Sequence, residues 1–210
     1  MQSDTGRVLS VESLTPMDQP KNIQFVPTRF FESFIAVARE LIFRPARFFE
    51  QLRPSGSLLG PIVFLVVCQF VSSLLVANVT GANIPLFAAL FVSGIVSMVL
   101  GAACLHTMLT TPLFNSRLPF EATVSIIAYA SIVDLVAWIP LLDIIANIYG
   151  LFLMYIGFKI IHRLTPRRAG VAVFVTVMLI GFTRLMMLLL TAPDWINSLI
   201  QASTSNTIPS

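Results

Sequence analysis

The chain has 210 residues, of which 56% are hydrophobic and only 11% charged, with a formal net charge of +3. Soluble domains are usually about 45–50% apolar and about 25% charged, so an ordinary soluble enzyme, a disordered tail and a disulfide scaffold are excluded as classes. The basic residues flank apolar runs and form no soluble patch, which points away from nucleic acid and toward anionic lipid headgroups.

Residues 1–27 carry no hydrophobic periodicity and read as a disordered cytoplasmic tail. In residues 28–53, Phe30, Phe34, Val37, Leu41 and Phe48 recur at helical spacing, with Arg39, Arg44 and Arg47 among the charges between them. Pro45 divides the pattern into two short helices. A Phe-rich face interleaved with Arg suits an amphipathic helix in the membrane interface; packing on the cytoplasmic ends of the spans is the alternative.

Uncharged runs follow at Pro61 to Val79 and Pro85 to Thr110. Residues 122–161 are too long for a single crossing at 1.5 Å per residue, and Trp138 to Asp143 is where they divide into a helical hairpin. A last run spans Ala169 to Ala192, and residues 193–210 form a short external tail. The expected fold is therefore all-α: a polytopic bundle of five transmembrane helices over residues 61–192, preceded by the interfacial helix. Prolines 61, 85, 112 and 140 fall at span ends, so no broken mid-span helix is expected. Twelve of the thirteen Lys and Arg residues lie on one side if the N-terminus is cytoplasmic and the C-terminus external.

The thirteenth, Arg184, lies within the last span, and Asp134 lies within the third. Ionisable residues inside a span are functional suspects, because hydrocarbon disfavours them unless they pair or meet water. Counted along ideal helices, Asp134 lies about 9 Å and Arg184 about 12 Å below the same membrane face. A buried pair joining spans three and five is expected, either fixing helix docking or forming a proton, ion or headgroup site. Asp143 caps the fourth span or reaches water at the outer interface.

Ser93, Ser97 and Gly101 form a small-residue stripe that permits close helix packing, within the monomer or between copies in a homo-oligomer. Cys68 and Cys104 both read as buried reduced thiols. His106 and His162 have no partner at metal-ligand spacing and read as polar helix ends. Asn78-Val79-Thr80 matches a glycosylation sequon by chance. No catalytic constellation is found, and no metal or cofactor is expected.

Four stretches give the chain a resemblance to the Yip1 family of five-span membrane proteins in its short prokaryotic form. Leu41 to Phe49 (LIFRPARFF) resembles the juxtamembrane segment in which a proline precedes a Phe pair. Leu59-Gly60-Pro61 resembles the Gly-Pro that opens the first span. Tyr129-Ala130-Ser131 through Ile139-Pro140 resembles the Tyr-small-Ser stretch leading to an Ile-Pro turn, and Gly157 through His162 a glycine followed by a basic helix end. These cover roughly residues 30–190. The resemblance implies a helical bundle with a cytoplasmic N-terminus, and an inner-membrane location in prokaryotic members. In eukaryotic relatives it implies vesicle traffic with lipidated small GTPases. Here Ser57-Leu58-Leu59 stands where the fuller family pattern has an Asp-Leu-Tyr lead.

Two functions follow as expectations. One is a non-catalytic membrane-organising scaffold or anchor that recruits a protein partner through its N-terminal region. The other is a small transporter or lipid-translocating protein using the Asp134–Arg184 pair.

Overall fold

A computed structural model describes residues 25–52, 57–79 and 84–191 of the chain. The tail before them, the connection at 53–56, the turn at 80–83 with Thr80 of the sequon, and the tail from 192 lie outside the described residues. A 3-10 turn, Pro27–Arg29, leads into α1 (Phe30–Phe43) and α2 (Pro45–Gln51). The long helices α3 (Leu59–Val79) and α4 (Ile84–Leu109) follow. Then come α5 (Phe120–Ala130), a second 3-10 turn (Ser131–Leu135), α6 (Pro140–Ile161) and α7 (Pro166–Thr191).

Proline sets several of these boundaries. Pro45, Pro140 and Pro166 open α2, α6 and α7, where a missing N–H costs nothing because the first helical donors have no intrahelical acceptor. Among the described residues four helices are long and apolar enough to cross a membrane: Leu59–Val79, Phe87–Leu109, Pro140–Ile161 and Pro166–Met187. The end carrying Leu109, Phe120, Ile161 and Pro166 is flanked by Arg117, Arg163, Arg167 and Arg168; it is the basic end.

The segment expected as the third span is not among these four. After the 11 residues of α5 the chain tightens into the 3-10 turn, giving about 26 Å of helix in two parts. This is a broken helix, which the proline pattern did not foretell. The break falls at Ser131, whose hydroxyl donates to the Ala128 carbonyl at 2.7 Å; such back-bonding bends helices. Every residue from Ala122 to Ala130 is buried, because α3, α4 and α6 all pack around this segment. Irregular backbone of this kind is tolerated where protein surrounds it on all sides.

The neighbours are fitted closely to this core. A Cβ on Gly157 of α6 would stand 2.7 Å from Cγ2 of Ile126 and 3.3 Å from Phe49. Gly101 of α4 faces Ile180 of α7, and Ser97 is buried with its hydroxyl on the Gly94 carbonyl. In one respect the expectation fails: Cys68 is buried, but Cys104 is exposed on the bundle's outer surface. A helix side that faces lipid is as apolar as one that faces protein, so an apolar run cannot distinguish them.

α1 and α2 form a shelf on the flank of the bundle. Val37, Leu41, Phe48 and Phe49 are fully buried against it, and Phe30 and Phe34 pack half-buried beside them. α2 lies along the basic half of α6, where Leu153, Gly157, Phe158 and Ile161 are buried. The other half of α6 exposes Leu141, Ile144, Ile145, Ile148 and Phe152.

Candidate functional site

Two places in the fold gather the residues that the sequence singled out. The first is a cleft of about 420 Å³ between α3, α4 and α7, lined by Gln69, Ser72, Ser73, Ser93, Asp134 and Arg184 among others. Gln69 is the middle residue of α3, about 15 Å from either end, and is only 4% exposed. Its Nε2 donates to Oδ2 of Asp134 at 2.6 Å and lies 4.0 Å from the Met98 sulfur. The Gln69 amide occupies the space that a side chain on Gly94 would fill, so the glycine is what admits it.

Asp134 sits in the 3-10 turn, which brings its carboxylate to the face of α3. Arg184 reaches the same cleft from α7, seven residues or about 10 Å before Thr191. The two charges act on each other through space, while the carboxylate's hydrogen bond comes from Gln69. The cleft thus holds a carboxylate and a guanidinium, with serine hydroxyls along its walls. Ser93 of the predicted stripe lines it, with its hydroxyl on the Leu90 carbonyl.

The second place is an aromatic clamp. Tyr129 of α5 is fully buried between Phe48, at 4.9 Å between ring centroids, and Phe64, at 5.2 Å. The backbone N–H of Phe25 donates to the Tyr129 hydroxyl at 3.4 Å. The Phe25 carbonyl lies where a Cβ on Gly60 would come within 2.7 Å. On the other flank of the shelf, the Tyr149 hydroxyl lies 2.8 Å and 2.9 Å from the carbonyls of Leu41 and Ile42, to which it donates. α1 leaves those carbonyls without intrahelical donors as it ends.

The comparison with family models finds the Yip1 domain over residues 39–188. The chain belongs to the Yip1 family. With its apolar helices it is a multi-pass integral membrane protein. No curated protein and no solved structure matches it. The stretches that carried the Yip1 resemblance, far apart in sequence, meet in the clamp: Phe48 and Phe49, Gly60, Tyr129 and Gly157 all touch one another's neighbours. In this Yip1 chain those motifs hold the α1–α2 shelf to the bundle.

The remaining candidates are also placed. Arg39, Arg44 and Arg47 are exposed along the shelf. Asp143 lies in the first turn of α6, where a negative charge suits the helix dipole. It accepts from Asn147 at 2.6 Å, and the N-cap itself is Ile139 with no side-chain bond. Among the described residues no three His, Cys, Asp or Glu side chains gather to hold a metal.

Sequence reasoning missed Gln69, Gly94 and Thr123. Gln69 was visible as a lone amide within an uncharged apolar run, but a screen for charge passes over it. Thr123 joins the two histidines: its hydroxyl lies 3.3 Å from Nδ1 of His106 and 3.4 Å from Nε2 of His162, whose Nδ1 lies 2.7 Å from the Ser116 hydroxyl. Burial, and then the neighbouring His106, push the His162 pKa down to about 4.

Proposed function

We propose that this Yip1 protein is a non-catalytic, membrane-organising scaffold. In this reading it sits in a bacterial inner membrane with the basic end and N-terminus cytoplasmic, and its α1–α2 shelf meets anionic lipid and a protein partner. The observation that carries the reading is the three-sided character of α1. Phe30, Phe34, Val37 and Leu41 face the bundle. About 100–140° around the helix, Phe31, Ile35 and Ile42 are exposed. About 180–220° around, Glu32 and Arg39 are exposed, with Phe43 at the helix's last turn. A helix between protein, hydrocarbon and water needs those three faces in that order.

The exposed apolar belt of α6 lends support. Residues 141–152 cover about 18 Å, well short of a hydrocarbon core about 30 Å thick. A bilayer beside α6 must thin, or α1 must fill the difference with Phe31 and Ile35; either orders the lipid around the shelf.

The test is in-cell photocrosslinking from positions 32 and 36 on the water-facing side, in the full chain and in Arg39→Gln/Arg44→Gln/Arg47→Gln. A discrete crosslinked protein that vanishes in the triple variant, with the variant still inserted at normal abundance, supports the scaffold. The same crosslink in both, or none in either, refutes it.

A further inference from the structure

The scaffold reading leaves the Asp134–Arg184 cleft without a role. We propose that this cleft binds an amino-phosphate: the headgroup of a zwitterionic phospholipid with a primary ammonium, entering between α3, α4 and α7 from the leaflet at the far end. Four observations lead there.

The cleft lies in the far half of the bundle, from the middle of α3 toward the ends of α4 and α7. Val92 of its lining is exposed on the outer surface of the bundle, so a ligand can reach the cleft from the bilayer. At about 420 Å³ the cleft has room for a headgroup of this size.

Its charges are of both signs and do not close on each other: the Asp134 carboxylate is held by Gln69 of α3, and the Arg184 guanidinium of α7 acts on it through space. A phosphate on Arg184 places an ammonium two carbons beyond it toward Asp134. A purely anionic headgroup satisfies Arg184 and sets a hydroxyl or a second negative charge against the carboxylate.

Among the described residues neither charge is fully matched. Gln69 gives Asp134 one hydrogen bond, to Oδ2. Arg184 is exposed at the cleft and meets the carboxylate only through space, and a guanidinium inside a span is costly without an anion in contact. Arginine also matches phosphate geometry better than any other side chain.

The walls suit a polar ligand with apolar tails. Ser72, Ser73 and Ser93 supply hydroxyls inside, and the exposed flanks Val92 of α4 and Leu185 of α7 are apolar. The acyl chains of a bound lipid then stay in the bilayer.

The experiment is native mass spectrometry of the full chain released from nanodiscs with equal phosphatidylethanolamine, phosphatidylglycerol and phosphatidylcholine. The wild type should retain the ethanolamine lipid over the choline lipid by about tenfold or more, because methylation removes the donors that a charge-assisted bond to Asp134 requires. Asp134→Asn should lose that preference and still retain phosphatidylglycerol; Arg184→Gln should lose retention of both. The wild-type comparison of the ethanolamine and choline lipids decides the matter even if a variant fails to fold. Soluble phosphoethanolamine distinguishes the source. If it binds lipid-stripped protein as strongly as the lipid does, the ligand is the free compound; if only the lipid binds, the ligand is the lipid; both results keep the amino-phosphate site. Equal retention of ethanolamine and choline lipids, or an unchanged preference in folded Asp134→Asn, overturns the proposal.

Discussion

Gly94→Ala isolates the interaction that organises the cleft. The new methyl group would overlap the Gln69 amide oxygen and come within 2.9 Å of its Cδ. The glutamine has to swing away, since α3 and α4 are held in register by Phe70 against Phe87 and Phe91. Swinging breaks the 2.6 Å bond to Asp134. A hydrogen bond to a charged group contributes about 1.5–3 kcal/mol, and alanine returns up to about 1 kcal/mol of helix propensity. The net destabilisation is then about 0.5–3 kcal/mol. Cys68 reports unfolding directly, because it is buried and becomes reactive only when α3 separates; Cys104 is exposed and is changed to serine first. Thermal unfolding in detergent, followed by a thiol-reactive fluorophore, gives the loss. In a Gln69→Ala background the same Gly94→Ala change should be neutral or stabilising, since no amide remains to be displaced. Equal destabilisation in both backgrounds would mean that the glycine serves helix approach alone and refutes the reasoning.

Three further outcomes follow from the same contacts. Tyr149→Phe removes the donor to the Leu41 and Ile42 carbonyls, costing about 1 kcal/mol; proteolysis near Arg44 should accelerate while the rest of the bundle stays resistant. Gly157→Val drives a branched side chain into Ile126 and Phe49 and should cost about 1–3 kcal/mol or more, measured by the same Cys68 reporter; no loss of stability would contradict the close packing of α2, α5 and α6. His162 is neutral when folded, with its pKa about 4 against about 6.5 unfolded, so the unfolded chain binds the proton first as pH falls. Stability tied to this residue is whole above pH 6.5 and should fall by about 2 kcal/mol by pH 5. The groups facing it, His106, Thr123 and Ser116, stay in place in a His162→Gln variant, which should flatten that pH dependence.

The long helices were legible because proline and charge punctuate the apolar runs: Leu59–Val79 against an expected start at Pro61, and α6 from Pro140 as expected. The division of residues 28–53 at Pro45 was legible for the same reason. The break at Ser131 was not, since neither proline nor glycine marks it and the tertiary cage of α3, α4 and α6 makes it tolerable. In the site, Asp134 and Arg184 stood out by charge alone. Gln69 and Gly94 become meaningful only when α3 and α4 are brought face to face, and the histidines connect only through Thr123 on a third helix.

The clamp and the cleft share one element, the buried segment that runs from α5 through the 3-10 turn, with Tyr129 and Asp134 five residues apart on it. Their partners do not overlap. Tyr129 is held by Phe25, Phe48 and Phe64, and Asp134 by Gln69 with Arg184 near it. Val133, next to Asp134, is independently fixed against Gly150, whose Cβ would stand 3.1 Å from it. Loosening the shelf with Phe48→Ala should leave a cavity beside Tyr129, at about 3–5 kcal/mol, without moving the carboxylate. The stability effects of Phe48→Ala and Asp134→Asn should then add to within about 0.5 kcal/mol. Non-additivity beyond that would mean that the broken helix shifts as one body between shelf and cleft. The irregular turn at Ser131 would then be a mechanical link, where the contacts on either side of it now argue for a joint that isolates one site from the other.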